Sequence, residues 1–197
     1  KKQKITAPSI ESFDEVRVLV HTLPDRLNME KKVPDLMEIP IGGTKEDQLK
    51  FIKENDGKEL TIESVFKDNE MVDVHAVTKG KGFQGPVKRF GISLRSHKSE
   101  KVIRGPGSLG PWKGQTHIMW KVAHAGQTGY HTRTEYNKQI ISISDNPEEL
   151  NPKGGIKHYG VIKNNSIILK GSIPGAKKRL IVITKPIRQN KAPEKEK

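Results

Sequence analysis

The sequence predicts a mainly β chain of the α+β class, a compact β body that carries one long, irregular, basic excursion between two of its strands. Three observations carry this expectation. Apolar residues recur with period two in several short runs. One stretch alone has the caps and spacing of a helix. Residues 79–133 gather ten of the eighteen glycines, both tryptophans and four of the seven histidines, with neither a strand nor a helix period to support a core of their own.

Taken in order, residues 1–9 are polar and basic and form an arm or linker. Val16, Val18 and Val20 alternate with Arg17, Leu19 and His21, the pattern of a half-buried strand, and Pro24 ends it. Residues 35–41 make a weaker strand, pushed to a sheet edge by Pro40. Thr44 is an N-cap followed by Glu46 and Asp47 in the first turn, Leu49 and Ile52 three apart, and Gly57 as a stop, which predicts the chain's single convincing helix. Residues 60–66 and 71–78 are predicted as barrel or sheet strands joined by a turn at 67–70, with Val72, Val74 and Ala76 on one face. Beyond the excursion, 139–144 alternates again and 145–155 is a loop rich in Pro, Asn and Gly. Residues 159–162 are expected to pair with 167–169 as a hairpin across Asn164 and Asn165. Lys177, Lys178 and Arg179 form a basic turn before a last strand at 180–184, and 191–197 is a disordered tail.

Composition limits the function. The 197 residues are 32% hydrophobic and 30% charged, with a net charge of +13. Residues 79–140 hold twelve Lys and Arg against Glu100 and Glu135, a net +10, so the rest of the chain is nearly neutral. A basic arm on a neutral body points to a polyanion, and we read it as an RNA-penetrating arm. The absence of cysteine excludes disulfides and thiolate chemistry and fits a reducing compartment. No apolar run approaches the roughly 20 residues of a membrane span, and no secretory signal is visible, so a soluble cytoplasmic protein is expected. Because the sequence opens on Lys1 and not on Met, a processed form, a fragment or part of a longer chain is expected.

Within the excursion, Gly80, Gly82 and Gly85 spell the dinucleotide-binding G-x-G-x-x-G after a strand. Pro86 follows the third glycine, no amphipathic helix is expected there, and the later acidic residue is misplaced. The glycines are better suited to bringing backbone amides close to phosphates, with Lys79, Lys81, Lys88 and Arg89 neutralising charge. His117, His124 and His131 are seven apart, but Gly126 and Gly129 break a common helix and Glu135 is the one nearby carboxylate, so no metal site is expected. Trp112 lies in a glycine-bounded turn with cations around it and is assigned to stacking on an unpaired base, against the alternative of a local packing plug. Trp120, beside Ile118, Met119 and Val122, is assigned to the core. Residues 126–133 present Gln127, Thr128, Tyr130, His131 and Arg133 as donors suited to phosphate and 2′-hydroxyl groups.

The run VDVHAVTKGKGFQGPVKRFG, then GPW, then HIMWKVAHAGQTGYHTRTEYNK, resembles the family of the universal large-subunit ribosomal protein three in its archaeal and eukaryotic form. The resemblance is densest over 72–138 and looser over most of the chain. It implies a small translation-protein-type β-barrel on the particle surface, with an irregular extension threading through rRNA towards the peptidyl transferase centre. It also implies early binding near the 3′ end of the large rRNA and a part in nucleating subunit assembly. Trp112 falls at the family's tryptophan finger, near the aminoacyl-tRNA side of the centre. Lys79, Lys81, Gln84, Lys88 and Arg89 match one rRNA-contacting run, and Gln127, Tyr130, His131 and Arg133 match a second. His97 holds a similar place before the finger. Arg95, Lys98, Lys101, Arg104, Lys113, His117, Lys121, His124 and Lys138 complete the expected RNA-binding set. Family members carry a further N-terminal segment with the opening barrel strands, so closure of the barrel is expected to need strands from outside these residues.

The resulting organisation is a flanking α/β region at 1–57, a barrel domain at 58–185 with the extension 79–133 inserted, and a tail at 186–197. The expected function is a structural constituent of the large ribosomal subunit in the cytoplasm, partnered by large-subunit rRNA and neighbouring ribosomal proteins. No catalytic residue, cofactor, metal, membrane or small-molecule substrate is expected. The competing readings are a nucleotide-dependent enzyme using Gly80–Gly85 and a free RNA-binding factor.

Overall fold

The computed structural model describes residues 13–27, 30–111, 119–145 and 147–188. Its strands are β1 (Arg17–His21), β2 (Leu36–Pro40), β3 (Met71–Val77), β4 (Phe83–Gln84), β5 (Gly126–Gln127), β6 (Thr132–Ser144), β7 (Ser166–Leu169) and β8 (Val182–Thr184). Its helices are α1 (Lys45–Asn55) and α2 (Pro86–Phe90). The fold is mainly sheet with few helices. The described residues fall into two compact units, one within Lys1–Met71 and Gln139–Lys170, the other within Val72–Lys138 and Gly171–Asn190.

In the first unit β1 and β2 pair antiparallel, from Arg17↔Pro40 to His21↔Leu36. The covered positions of β1 are Val18 and Val20, as the alternation requires. Pro40 sits at the end of a strand in a two-stranded sheet, where its missing N–H breaks no interior ladder. Thr44 caps α1 by accepting from the Asp47 amide at 3.3 Å. Its hydroxyl donates to Asp47 Oδ2 at 2.6 Å, which holds that carboxyl below its usual range. Gln48 is buried on the helix and donates to the carbonyls of Ile41 and Gly43, tying α1 to the end of β2.

Two strand assignments in this unit are corrected. Residues 60–66 contain a 3-10 turn (Ile62–Ser64), with the amides of Val65 and Phe66 returning to the Ile62 carbonyl at 3.1 and 3.0 Å. The Ser64 hydroxyl donates to the Thr61 carbonyl at 2.6 Å, so local hydrogen bonds take the backbone that a strand would need for a partner. The hairpin of 159–162 with 167–169 does not form. β7 pairs instead with β6, Ile140↔Leu169 to Ser144↔Ser166. Asn151 accounts for this, since its side chain binds both the amide and the carbonyl of Ile162, at 2.8 and 2.9 Å. The turn at 67–70 forms as expected, with Asn69 at φ 64 and the Ile140 amide donating to the Glu70 carbonyl at 2.8 Å.

In the second unit β3 lies between β6 and β8, with β3 and β8 antiparallel from Asp73↔Thr184 to His75↔Val182. A central strand is covered on both faces, so Val72 and Val74 are fully buried and Asp73 is too. The Asp73 carboxylate accepts from the amides of Asn137 and Ile187, at 2.8 and 3.1 Å. His75 bridges its neighbours, Nδ1 to Thr134 Oγ1 at 2.8 Å and Nε2 to Thr184 Oγ1 at 3.0 Å. The expected strand at 139–144 is the second half of the 13-residue β6, whose first half belongs to the end of the basic segment. Among the described residues no sheet closes into a barrel. No helix among them is long and apolar enough to cross a membrane.

Candidate nucleic-acid interface

The excursion leaves β3 and returns at β6, and its two ends are laced together. The Thr78 amide donates to the His131 carbonyl at 2.9 Å, and the His131 amide to Thr78 Oγ1 at 3.2 Å. Lys81 donates to the Thr128 carbonyl at 2.8 Å and Thr128 to the Gly82 carbonyl at 2.9 Å. β4 and β5 extend this ladder, Phe83↔Gln127 and Gln84↔Gly126. The excursion therefore has elements of its own, contrary to its lack of sequence period, because two-residue strands and a five-residue helix are too short to show one.

That helix is a further correction to the sequence reading. Gly85 is the N-cap of α2, Pro86 starts it and Gly91 ends it at φ 68. Pro at the first position and a left-handed Gly at the end are a legible signature, so the signal was present without amphipathic spacing. Lys88 and Arg89 lie in its last turn, where cations suit the helix dipole.

The candidate residues divide into those that face solvent and those engaged inside the chain. Lys79, Lys81, Lys88, His97, Lys98, Lys101, Arg104, Lys121 and Arg133 are exposed. Arg95 is half-buried, with its amide donating to the Ile103 carbonyl at 3.2 Å. Arg89 is different. Its Nη1 donates to the His124 carbonyl at 2.9 Å and its Nε to the Gln127 carbonyl at 3.2 Å, with the guanidinium 5.0 Å from the Phe90 ring centre. It clamps the two ends of the excursion with two of its five N–H donors. Lys138 is half-buried and paired with Glu135 at 2.5 Å, the one candidate cation in an ion pair among the described residues.

Gln84 Nε2 donates to the Lys81 carbonyl, and Gln127 Nε2 to the carbonyls of Thr128 and Gly129. His124 is half-buried, with no partner for its Nε2. Among the described residues no three His, Asp or Glu could hold a metal ion. Trp112, Lys113 and His117 lie outside the described residues.

Trp120 is not a core residue. It is 87% exposed with Lys121 Nζ 5.6 Å from its ring centre. It sits in a tight turn, the Val122 amide donating to the Met119 carbonyl at 3.1 Å. Phe83, 76% exposed, and Phe90, 56% exposed, are further aromatic rings in solvent that the sequence reading does not single out. Their one signal was position, aromatic residues set among lysines and arginines.

A family model for ribosomal protein L3 matches residues 1–197. The chain belongs to the ribosomal protein L3 family. It is 48% identical over 195 residues to the large ribosomal subunit protein uL3 of Methanocaldococcus jannaschii, covering 95% of this chain and 58% of that protein. The uL3 protein of Archaeoglobus fulgidus is 46% identical over 193 residues, 96% of this chain and 58% of that one. That of Methanococcus aeolicus is 49% identical over 177 residues, 88% of this chain and 53% of that one. The chain thus spans little more than half the length of these curated relatives. L3 is a family of ribosomal proteins and not of enzymes, which removes the nucleotide-enzyme reading of Gly80–Gly85. In the structure the Lys81 amide of that motif is committed to the Thr128 carbonyl at 2.8 Å.

Proposed function

We propose that this chain is the rRNA-binding part of a structural constituent of the large ribosomal subunit. The observation that supports it best is the exposure of the excursion's cations. Eight lysines and arginines, with His97 beside them, face solvent with no ion pair among the described residues, on a segment whose ends are locked to a sheet. Charges left unpaired on a basic arm find their counter-ions on a polyphosphate backbone, and counterion release then drives binding. The Arg89 clamp and the neck ladder hold the two ends of the arm together.

The barrel of the translation-protein type belongs to this proposal. Further strands, of the kind the longer family members carry, would complete it, and neighbouring ribosomal proteins would cover the remaining surface. Early binding to the large rRNA and support of subunit assembly follow from the same cationic arm. The site of action is the cytoplasmic ribosome, with no catalytic group supplied by this chain.

The test is sedimentation of the tagged native protein from lysate through a high-salt sucrose gradient, with blotting and rRNA detection. Stoichiometric retention in the large-subunit peak is expected. Release to the top of the gradient would overturn the reading and leave a free RNA-binding factor. Within the particle, Trp112 is assigned to shaping rRNA around the tRNA-accepting site by stacking. Trp112→Ala is expected to leave subunit yield near normal and to slow aminoacyl-tRNA accommodation by about five- to a hundred-fold, as one lost base stack of about 1–3 kcal/mol implies. Unchanged accommodation kinetics in purified mutant ribosomes would remove that role.

A further inference from the structure

At the neck of the excursion stands an aromatic side chain that its packing does not explain. Tyr130 is 65% exposed, yet its backbone is held at φ 57, a conformation that residues with a Cβ adopt only at a cost. Its neighbours impose it. Gly129, at φ 71, lies so close to Lys79 that a Cβ would stand 2.1 Å from the Lys79 carbonyl oxygen. On the other side, the His131 amide is bound to Thr78 Oγ1. The backbone of Tyr130 is therefore fixed between two points of attachment to the end of β3.

The ring itself is backed by a cation that is fixed as well. The Arg179 guanidinium is 5.6 Å from the Tyr130 ring centre, and Arg179 Nη1 donates to the carbonyls of Val77 and Thr78, both at 2.8 Å. Arg179 is half-buried, and the residue before it, Lys178, is exposed with its own backbone at φ 69. A tyrosine placed for packing would be covered, and one placed for its hydroxyl would need no cation against its ring. A rigid aromatic with a cation on one side and solvent on the other is the arrangement of a stacking platform.

We propose that Tyr130, backed by Arg179, is a stacking platform for one unpaired RNA base, with Lys178 and Lys79 contacting the phosphates on either side of it. The occupant is single-stranded because a base within a duplex has no free face to offer. Lys79 and Lys178 are exposed and next in sequence to Gly80 and Arg179, which lie against Tyr130, and such cations favour a nucleic acid over an apolar protein segment. This inference rests on the RNA-binding reading above and deepens it. Arg179 is a positioning residue here, acting through Tyr130.

The 197-residue chain is titrated into a short unstructured RNA carrying 2-aminopurine at one position, over a series of salt concentrations, with circular dichroism confirming the fold of each variant. Binding with quenched 2-aminopurine fluorescence is expected. Tyr130→Asn, which tolerates the left-handed backbone, should lose about tenfold in affinity and much of the quenching without changing the salt dependence, whereas Tyr130→Phe should keep all three. Lys178→Gly should keep the quenching and reduce the slope of log affinity on log salt by about 0.7. Unaltered affinity and quenching in a folded Tyr130→Asn variant would overturn the platform while leaving the RNA-binding reading in place. Failure of the unmodified chain to bind RNA at low salt would overturn both.

Discussion

Gly129→Ala is expected to open the neck of the excursion and to destabilise the second unit by about 3–5 kcal/mol. Two costs combine. The residue sits at φ 71, where an alanine is strained by roughly 1–2 kcal/mol. The added Cβ would also meet the Lys79 carbonyl oxygen at 2.1 Å and the Lys81 amide nitrogen at 3.2 Å, both backbone atoms that cannot rotate away. Relief requires the strands to part, which sacrifices the paired amides of Lys81 and Thr128 at about 1 kcal/mol each. Gly82→Ala supplies the control, since its φ of 70 is the same but nothing lies within 4 Å of its Cβ position, so only the conformational cost of about 1 kcal/mol is expected there. Urea denaturation of the two variants, with hydrogen exchange at Lys81 and Thr128, measures the difference. Equal losses for the two, with both amides still protected, would show that the close approach at Gly129 carries no weight.

Asp73→Ala is expected to cost about 4 kcal/mol, and Asp73→Asn roughly half as much. The carboxylate has no solvent exposure and holds two amides from separate parts of the chain, those of Asn137 in β6 and Ile187 beyond β8. Asn137 lies in the middle of β6 at φ 54, a break in the strand's extended backbone that presents its amide to Asp73. Alanine strands both donors away from water at about 1–3 kcal/mol apiece, whereas asparagine retains one oxygen acceptor. Denaturation midpoints of the two variants are the measurement. A loss below about 1 kcal/mol for the alanine variant would mean that the two amides find other partners.

Local chemistry was legible in the sequence wherever neighbouring residues settle the outcome. Thr44, Asp47 and Gly57 bracket α1 because a cap is decided within one turn of chain. The alternation of β1 and the apolar face of Val72, Val74 and Ala76 survive because period two assigns a side to each residue whatever the partner. The Gly85, Pro86 and Gly91 bracket of α2 was equally local, and only the demand for amphipathic spacing hid it. The family was legible too, because long runs such as GPVKRFG and AGQTGYHTR are specific without any structure.

Partner choice was not legible, because a hydrogen-bonding edge accepts whichever edge the rest of the chain brings to it. β7 took β6 over its near neighbour once Asn151 had satisfied Ile162, and residues 60–66 turned on themselves through local hydrogen bonds. The roles of single side chains followed the same rule. Arg89 sits among cations suited to phosphate and also clamps two carbonyls, while Trp120 has the neighbours of a core residue and stands in solvent. The sequence alone determined that this chain is basic, sheet-rich, and a member of the L3 family, since charge, period and motif are properties of the chain itself. Only the tertiary structure decided which cations remain free, where the neck is sealed and that Tyr130 is backed by Arg179, because each depends on atoms that distant segments bring within a few ångströms of one another.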